Sequence, residues 1–151
     1  SETFGAKGKN KVEFLISTNV SKELAPLNKT ASGGEISRVM LAIKTVFSAV
    51  DKVSVIIFDE IDTGISGKTS VCVANAINKL SKSAQVFAIT HQPIIASKAN
   101  DFYFVSKEQN EETAVNVRKL KEDEKPNVLA QMALGDISDN SLTFAKELLN
   151  S

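Results

Sequence analysis

Two short apolar runs, each followed closely by polar residues, constrain the fold more than any other feature of the sequence. The first run is Val53–Phe58, which is largely β-branched and ends in Asp59 and Glu60. The second is Ala84–Ile89, which is followed closely by His91. Continuous apolar runs of this length are typical of strands covered on both faces, as in parallel sheets. We therefore predict two strands of a largely parallel sheet.

Amphipathic helices accompany these strands. Apolar residues recur at spacings of three and four from Gly34 to Val50, and helical apolar positions continue from Val71 to Leu80. Helices that alternate with apolar strands indicate right-handed crossover units, so we predict an α/β fold with flanking helices and a terminal β-hairpin. The remaining expected elements are a strand at Val12–Ile16, a loop at Ser17–Thr30, a short helix near Ile94–Lys98, hairpin strands at Phe102–Val105 and Ala114–Val117, and helices at Val128–Leu134 and Leu142–Leu149.

Composition excludes several classes of protein. The 151 residues include 18 basic and 18 acidic side chains, so no global positive charge favours non-specific binding to nucleic acid or to an anionic membrane. Cys72 is the only cysteine and cannot form an intrachain disulfide, and no apolar run is long enough to predict a transmembrane helix. A secreted disulfide scaffold and a membrane protein are therefore excluded. Because the sequence starts at Ser1 without methionine, we expect a piece of a longer chain.

A serine and two glycines stand directly ahead of the strongest helix pattern. Ser32, Gly33 and Gly34 would present backbone N–H groups at the positive end of the helix dipole, with the serine hydroxyl as a further donor. The same residues are common as an ordinary N-cap and turn. Taken alone, they leave both interpretations open, an anion cradle or a simple helix start.

Two adjacent carboxylates favour the anion cradle. Asp59 and Glu60 follow a predicted buried strand, and ligands of open α/β sheets bind outside the carboxyl ends of the strands. One carboxylate suits a Mg²⁺ ion and the other a water molecule. His91 is the only histidine and would open onto the same edge of the sheet. The sequence therefore favours a nucleotide site over two strands that simply end in polar residues.

A further glycine-containing segment fails as a phosphate-binding loop. Gly67–Thr69 matches the end of such a loop, but the motif needs a glycine five residues earlier, where the sequence has Asp62. We interpret the segment as a helix start with Ser66 as a candidate cap. Cys72 and Met132 fall among apolar positions of predicted helices, and we expect both to pack in the core.

Four segments resemble, in order, the motifs of the carboxyl-terminal half of an ABC-type ATPase head. They correspond to its signature motif, Walker B segment, D-loop and switch histidine, and are Ala31–Glu35, Val55–Glu60, Asp62 and His91. The sequence is more similar still to the RecN family, SMC-like proteins of bacterial DNA double-strand break repair. That resemblance covers nearly the whole chain and is carried by Val12–Asn19, Ala31–Lys44 and Phe58–Gly67.

This resemblance implies an ATPase that uses ATP and Mg²⁺ once the head is complete. Asp59 would hold the Mg²⁺ ion, and Glu60 would polarise the attacking water. His91 would contact the γ-phosphate from the same head as Glu60. Glu60 and His91 are therefore the expected catalytic residues, and Asp59 is the expected metal ligand.

The family also implies that two heads pair around ATP as a homodimer. The signature residues would bind the γ-phosphate of a nucleotide held by the second head: Ser32, Gly33, Gly34 and Glu35. Asp62 in the D-loop would help to link the two sites across the dimer. Phosphoryl transfer depends on positioning and charge neutralisation, which two lobes can supply from opposite sides.

Residues 1–151 are thus expected to form the carboxyl-terminal lobe of an ABC/SMC-type ATPase head. The sequence has no Walker A loop, glutamine loop or coiled coil, which the family places in preceding segments. The resemblance therefore implies an isolated chain that is inactive without its amino-terminal Walker A lobe. For the full-length protein it implies DNA as a partner, no membrane, and a bacterial cytoplasmic location at the nucleoid. One departure is Gln92–Ile95, where the family more often has Leu-Pro-Gln-Val.

Two alternatives remain at this stage. The nucleotide-binding half of a transporter is disfavoured because the signature ends in Glu35 instead of the usual glutamine, and because the match at Val12–Asn19 would be unexplained. A non-hydrolysing scaffold domain of the same fold is disfavoured by Asp59 and Glu60, since a scaffold has no need of two carboxylates at the end of a buried strand.

Overall fold

Six helices and six strands make up the part of the chain that the structure describes. This structure, a computed structural model, describes residues 8–10, 12–17, 23–48, 50, 52–109 and 113–151. In chain order, the elements are β1 (Leu15–Ile16), β2 (Ala25–Pro26), α1 (Leu27–Thr30), α2 (Gly33–Phe47), β3 (Val55–Phe58), α3 (Lys68–Leu80), β4 (Gln85–Ala88), α4 (Pro93–Ala96), β5 (Tyr103–Gln109), β6 (Thr113–Lys119), α5 (Lys125–Leu134) and α6 (Asp139–Asn150). None of the helices in this part of the chain combines the length and apolar character needed to cross a bilayer.

The strands β3 and β4 pair in parallel, as the two apolar runs predict. Val55 lies opposite Gln85 and Phe58 lies opposite Ala88, and α3 makes the crossover between the strands. Helices α2 and α3 pack on one face of this pair, where Phe58 is buried in a first hydrophobic core. Its buried members are Leu41, Phe58, Ile61, Val73, Ala74, Leu80 and Ile95. The α/β crossover unit is therefore confirmed.

The opposite face of the β3–β4 pair is open in the described part of the chain. Val55, Ile57 and Phe87 alternate with buried or half-buried positions and are exposed, Ile57 by 67%. Ile89, just after β4, is exposed as well. The expectation that both strands are covered on both faces is therefore wrong for the structure as described, and an apolar sheet surface faces outward.

A second hydrophobic core joins the hairpin to the last two helices. β5 and β6 are antiparallel, with Val105 opposite Val117, which confirms the predicted hairpin. Residues 110–112, in its expected turn, lie outside the described part of the chain. The short helix α4 connects the cores, because Ile95 is buried in the first and Ala96 in the second. The buried members of the second core are Ala96, Phe102, Leu120, Leu129, Ala130 and Ala145.

The segment ahead of α2 differs from its sequence-based description. Only Leu15–Ile16 of the expected strand at Val12–Ile16 pairs, and it pairs antiparallel with β2. The expected loop therefore contains both β2 and α1, and the Leu27 N–H donates to the Phe14 carbonyl at 2.9 Å. Residues 18–22 of that segment lie outside the described part of the chain.

Two side-chain expectations on α3 are wrong. Cys72 is exposed, because it lies on a different face of α3 from the buried residues, which are Ser70, Val73, Ala74 and Leu80. Ser66 does not cap the helix, whose N-cap is Gly67 with no side-chain cap hydrogen bond. Met132 on α5, in contrast, packs against the second core as expected.

Candidate functional site

The amino-terminal end of α2 carries a capping box. Ser32 Oγ accepts a hydrogen bond from the Glu35 N–H at 3.4 Å, and Glu35 Oε2 accepts one from the Ser32 N–H at 2.8 Å. The ordinary N-cap interpretation is therefore correct for the local structure. Ser32 and Gly33 remain exposed to solvent, while the cap uses the N–H groups of Ser32 and Glu35.

Side chains one turn further along α2 donate hydrogen bonds to the loop that follows β3. The Ser37 hydroxyl donates to the Asp59 carbonyl at 2.8 Å. Arg38 Nη1 donates to the carbonyls of Ile61 and Thr63 at 3.2 and 2.9 Å. Helix α2 and the loop that carries the two carboxylates are therefore held together as one unit.

Glu60 lies against Gly33 and Gly34, the first two residues of α2. The backbone φ of Glu60 is 56°, in the left-handed region that residues other than glycine rarely adopt. Residues in this conformation are concentrated at functional sites. A Cβ on Gly33 would meet the Glu60 carboxylate, and a Cβ on Gly34 would lie 2.8 Å from the Glu60 carbonyl oxygen. The close approach of α2 to this loop therefore depends on glycine.

Alanine substitutions at Gly33 and Gly34 should lower the free energy of unfolding by different amounts. We expect Gly34→Ala to lower the free energy of unfolding by about 1–3 kcal/mol, because the backbone carbonyl of Glu60 must shift to admit the methyl group. Gly33→Ala should cost less, because the Glu60 carboxylate can rotate away and alanine favours the helix by about 0.5–1 kcal/mol. Urea denaturation followed by circular dichroism measures both variants. Equal losses would contradict this contact geometry.

Asp59 is an exposed carboxylate directly after β3. Its side chain is exposed at the carboxyl end of β3, and its Oδ1 accepts the Glu60 N–H at 2.9 Å. Among the described residues, no three side chains of His, Cys, Asp or Glu are grouped to hold a metal ion by themselves. Mg²⁺ usually takes one or two carboxylates and completes its shell with water and substrate phosphates. Asp59 therefore fits Mg²⁺ delivered with a nucleotide.

Asp62 is a buried carboxylate at the centre of the site. Its Oδ2 accepts hydrogen bonds from the Thr90 hydroxyl at 2.5 Å, from the His91 N–H at 2.7 Å and from the Gln92 N–H at 3.2 Å. The same oxygen lies 3.1 Å from His91 Nδ1. Burial raises the pKa of the Asp62 carboxyl, but the hydrogen bonds from Thr90 and His91 and the charge of the His91 ring lower that pKa below its ordinary value.

The residues that follow His91 make contacts with the loop after β3 and with the first core. Gln92 donates from Nε2 to the Ile65 carbonyl at 3.2 Å, which ties the segment to the loop after β3. Pro93 takes the first position of α4, and Ile95 is buried in the first core. The departure from Leu-Pro-Gln-Val therefore leaves the histidine on the loop that follows β4.

All the site residues indicated by the sequence lie around the carboxyl ends of β3 and β4 or the adjoining end of α2. Ser37, Arg38 and Thr90 take part as well and were missed by sequence reasoning. Spacing could have indicated Ser37 and Arg38, because each lies four residues after a signature glycine and hence on the same helix face. Thr90 carried no comparable signal.

No family model matches the sequence. The fold is similar to that of a solved chain from structural work on ATP-driven dimerization and DNA-stimulated activation of SMC ATPases. The TM-score is 0.53 at 22% identity, over 74% of this chain and 67% of that one. The predicted fold, that of a lobe of an SMC-type ATPase, is confirmed.

The sequence is similar to curated DNA repair proteins named RecN. It is 44% identical to RecN of Bacillus subtilis over 145 residues, which is 95% of this chain. It is 46% identical to RecN of Treponema pallidum over 149 residues and 47% identical to RecN of Rickettsia conorii over 148 residues. The resemblance to RecN is confirmed. The chain spans about a quarter of the length of these relatives, between 25% and 27%.

Proposed function

We propose that residues 1–151 are the carboxyl-terminal lobe of the ATPase head of a RecN-like protein, which acts in DNA double-strand break repair and recombination. The observation that carries the proposal is the meeting of three motifs at one edge of the sheet. There, the glycines of α2 touch Glu60, and the carboxylate of Asp62 holds the loop of His91. The similarity to RecN over 95% of the chain supports the biological role.

The chemistry that we propose is hydrolysis of ATP. Phosphoryl transfer needs a positioned water molecule and neutralisation of charge on the phosphates. Glu60 would orient the water, and His91, with its exposed ring, would contact the γ-phosphate. Asp59 would hold Mg²⁺, which neutralises phosphate charge when it is bound. Glu60 and His91 act as the catalytic residues in this proposal.

The open sheet face supports completion of the head by an amino-terminal lobe. Parallel strands are almost always covered on both faces, yet Val55, Ile57 and Phe87 are exposed. We place the Walker A lobe on this surface, where burial of the remaining exposed area of these three half-exposed side chains would contribute about 1 kcal/mol each. That lobe would also bring the lysine and backbone amides that hold the β- and γ-phosphates.

ATP would then join two completed heads. The exposed end of α2, with Ser32 and Gly33, would bind the γ-phosphate on the second head, in line with the positive end of the helix dipole. ATP-driven dimerization and DNA stimulation are attributed to the SMC ATPases that share the fold. For the full-length protein we propose the same pairing, contact with DNA, and a location in the bacterial cytoplasm at the nucleoid.

The test is to compare ATP hydrolysis by the purified chain alone and after co-expression with its Walker A lobe. We expect little turnover and weak ATP affinity for the chain alone, since most phosphate donors are in the other lobe. The completed head should show Mg²⁺-dependent turnover, measured with and without DNA. A completed head that neither binds nor hydrolyses ATP would contradict the function. Strong turnover by the chain alone, abolished by Glu60→Gln, would contradict the need for a second lobe.

A further inference from the structure

We propose that Ser37 and Arg38 of α2 are positioning residues for Glu60, because they hold the backbone on both sides of Glu60 and thereby fix the direction of its carboxylate. The inference rests on the proposed function, in which Glu60 orients the attacking water. It assigns the second turn of α2 to the nucleotide of its own head, whereas the family resemblance assigns Ser32–Glu35 to the nucleotide of the second head.

The backbone conformation of Glu60 is the first support. Its φ of 56° lies in the left-handed region, where a residue other than glycine stays only if its surroundings impose the conformation. Helix α2 supplies this constraint on one side, because the Ser37 hydroxyl donates to the Asp59 carbonyl at 2.8 Å. On the other side, Arg38 Nη1 donates to the Ile61 carbonyl at 3.2 Å. The left-handed backbone is therefore held at both ends by one helix.

Further hydrogen bonds close the turn that starts at Glu60. The Thr63 N–H donates to the Glu60 carbonyl at 3.1 Å, and Arg38 Nη1 also donates to the Thr63 carbonyl at 2.9 Å. The Glu60 N–H donates to Asp59 Oδ1 at 2.9 Å. Ile61 is fully buried in the first core, so the turn cannot move away from α2 without exposing that side chain. Glu60 itself is exposed, and a fixed backbone thus carries a carboxylate that is open to solvent.

Arginine suits position 38 because one NH₂ group of its guanidinium can donate two hydrogen bonds at once. Arg38 Nη1 does so here, and a charged donor makes each bond roughly twice as strong as a neutral one. Gly34 lies one turn earlier on the same helix face, where a Cβ would be 3.1 Å from Arg38 Nη1 and 3.0 Å from Thr63 Cβ. The missing side chain at Gly34 therefore leaves room for the guanidinium beside the loop.

The hold on the backbone determines where the Glu60 carboxylate can lie. A group that orients water acts only from within hydrogen-bond reach of that water, and a misplacement of about 1 Å can cost about 100-fold in rate. Without Arg38, the turn can relax toward an ordinary φ, which redirects the side chain of Glu60. The carboxylate would then still be present but displaced from the water.

Arg38→Met in the completed head tests this role. Methionine keeps part of the side-chain volume but has no donors, so we expect the rate of ATP hydrolysis in a single turnover to fall by about 10- to 100-fold, with little change in ATP affinity. Arg38→Lys retains a charged donor and should recover part of the loss. Ser37→Ala should lower the rate less, since it removes one neutral hydrogen bond. A wild-type rate in Arg38→Met would overturn the inference.

A double-mutant cycle with Glu60→Gln distinguishes positioning from general support of the fold. If Arg38 acts through Glu60, Arg38→Met should lower the rate little further once Glu60 is replaced. Equal losses in both backgrounds would overturn the inference, because Arg38 would then act on something other than Glu60. Arg118→Met is the matched control: Arg118 is the other arginine of the chain, pairs with Glu124 at 2.8 Å, and should leave the rate unchanged when replaced.

Amide hydrogen exchange, followed by NMR on the completed head, separates this inference from the proposed function. Arg38→Met should speed exchange of the Thr63 N–H, which donates to the Glu60 carbonyl, by about tenfold or more, whereas Arg118→Met should not. Exchange at the wild-type rate in Arg38→Met would overturn the inference whether or not the head hydrolyses ATP. A wild-type head without ATPase activity would contradict the proposed function, while the exchange rate would still decide whether Arg38 holds the turn.

Discussion

Glu60→Gln is expected to lower ATP turnover by the completed head by about a hundred- to ten-thousand-fold, the usual cost of removing a positioned base. Glutamine fills nearly the same space, so the contact of position 60 with Gly33 should persist. Nucleotide binding need not suffer, because the phosphates are held by other groups. The variant should therefore accumulate as ATP-bound, paired heads.

Asp59→Asn is the matched comparison, since it changes the neighbouring carboxylate in the same way. Asp59 is expected to act through Mg²⁺, whose charge bridges the β- and γ-phosphates. Its loss should weaken Mg-ATP binding and pairing as well as turnover. Size-exclusion chromatography or crosslinking with ATP and Mg²⁺ distinguishes the two variants. A monomeric Glu60→Gln head, or an Asp59→Asn head that pairs equally well, would refute these roles.

Ser32→Arg is expected to abolish ATP-driven pairing of completed heads while ATP binding to each monomer stays nearly intact. Ser32 is exposed at the end of α2, so a bulky charged side chain would obstruct the surface offered to the second head. The change also removes the N-cap hydroxyl, which typically costs about 1 kcal/mol of stability.

Ser32→Ala is the control that separates these two effects. It loses the same cap hydrogen bond to the Glu35 N–H but adds no bulk or charge. We expect Ser32→Ala to pair far better than Ser32→Arg at similar stability. Equilibrium binding of ATP to the monomers completes the comparison. If Ser32→Arg weakens monomer binding as steeply as pairing, the signature does not act on the partner's nucleotide.

The central fold was predictable because its signals are local. The spacing of apolar residues in α2 and the β-branched run of β3 specify a helix and a strand whatever their surroundings. The exposed face of β3 was not predictable. Val55 and Ile57 make the run look doubly buried, and a sequence pattern cannot say which chain segment covers a strand. Burial is decided by tertiary contacts.

The sequence predicted which residues gather at the site but not the hydrogen bonds that connect them. Asp59, Glu60 and His91 follow apolar strands, so the edge of the sheet was expected to gather them. The buried state of Asp62 depends on a loop that folds back to bring Thr90 and Gln92 onto one oxygen. Such a contact spans nearly thirty residues of sequence, and no local spacing encodes it.

The four-residue helix α4 has a mechanical consequence. It starts two residues after His91, and its successive residues Ile95 and Ala96 are anchored in different cores. A nucleotide that displaced His91 would therefore act on both hydrophobic cores at once, through Ile95 and Ala96.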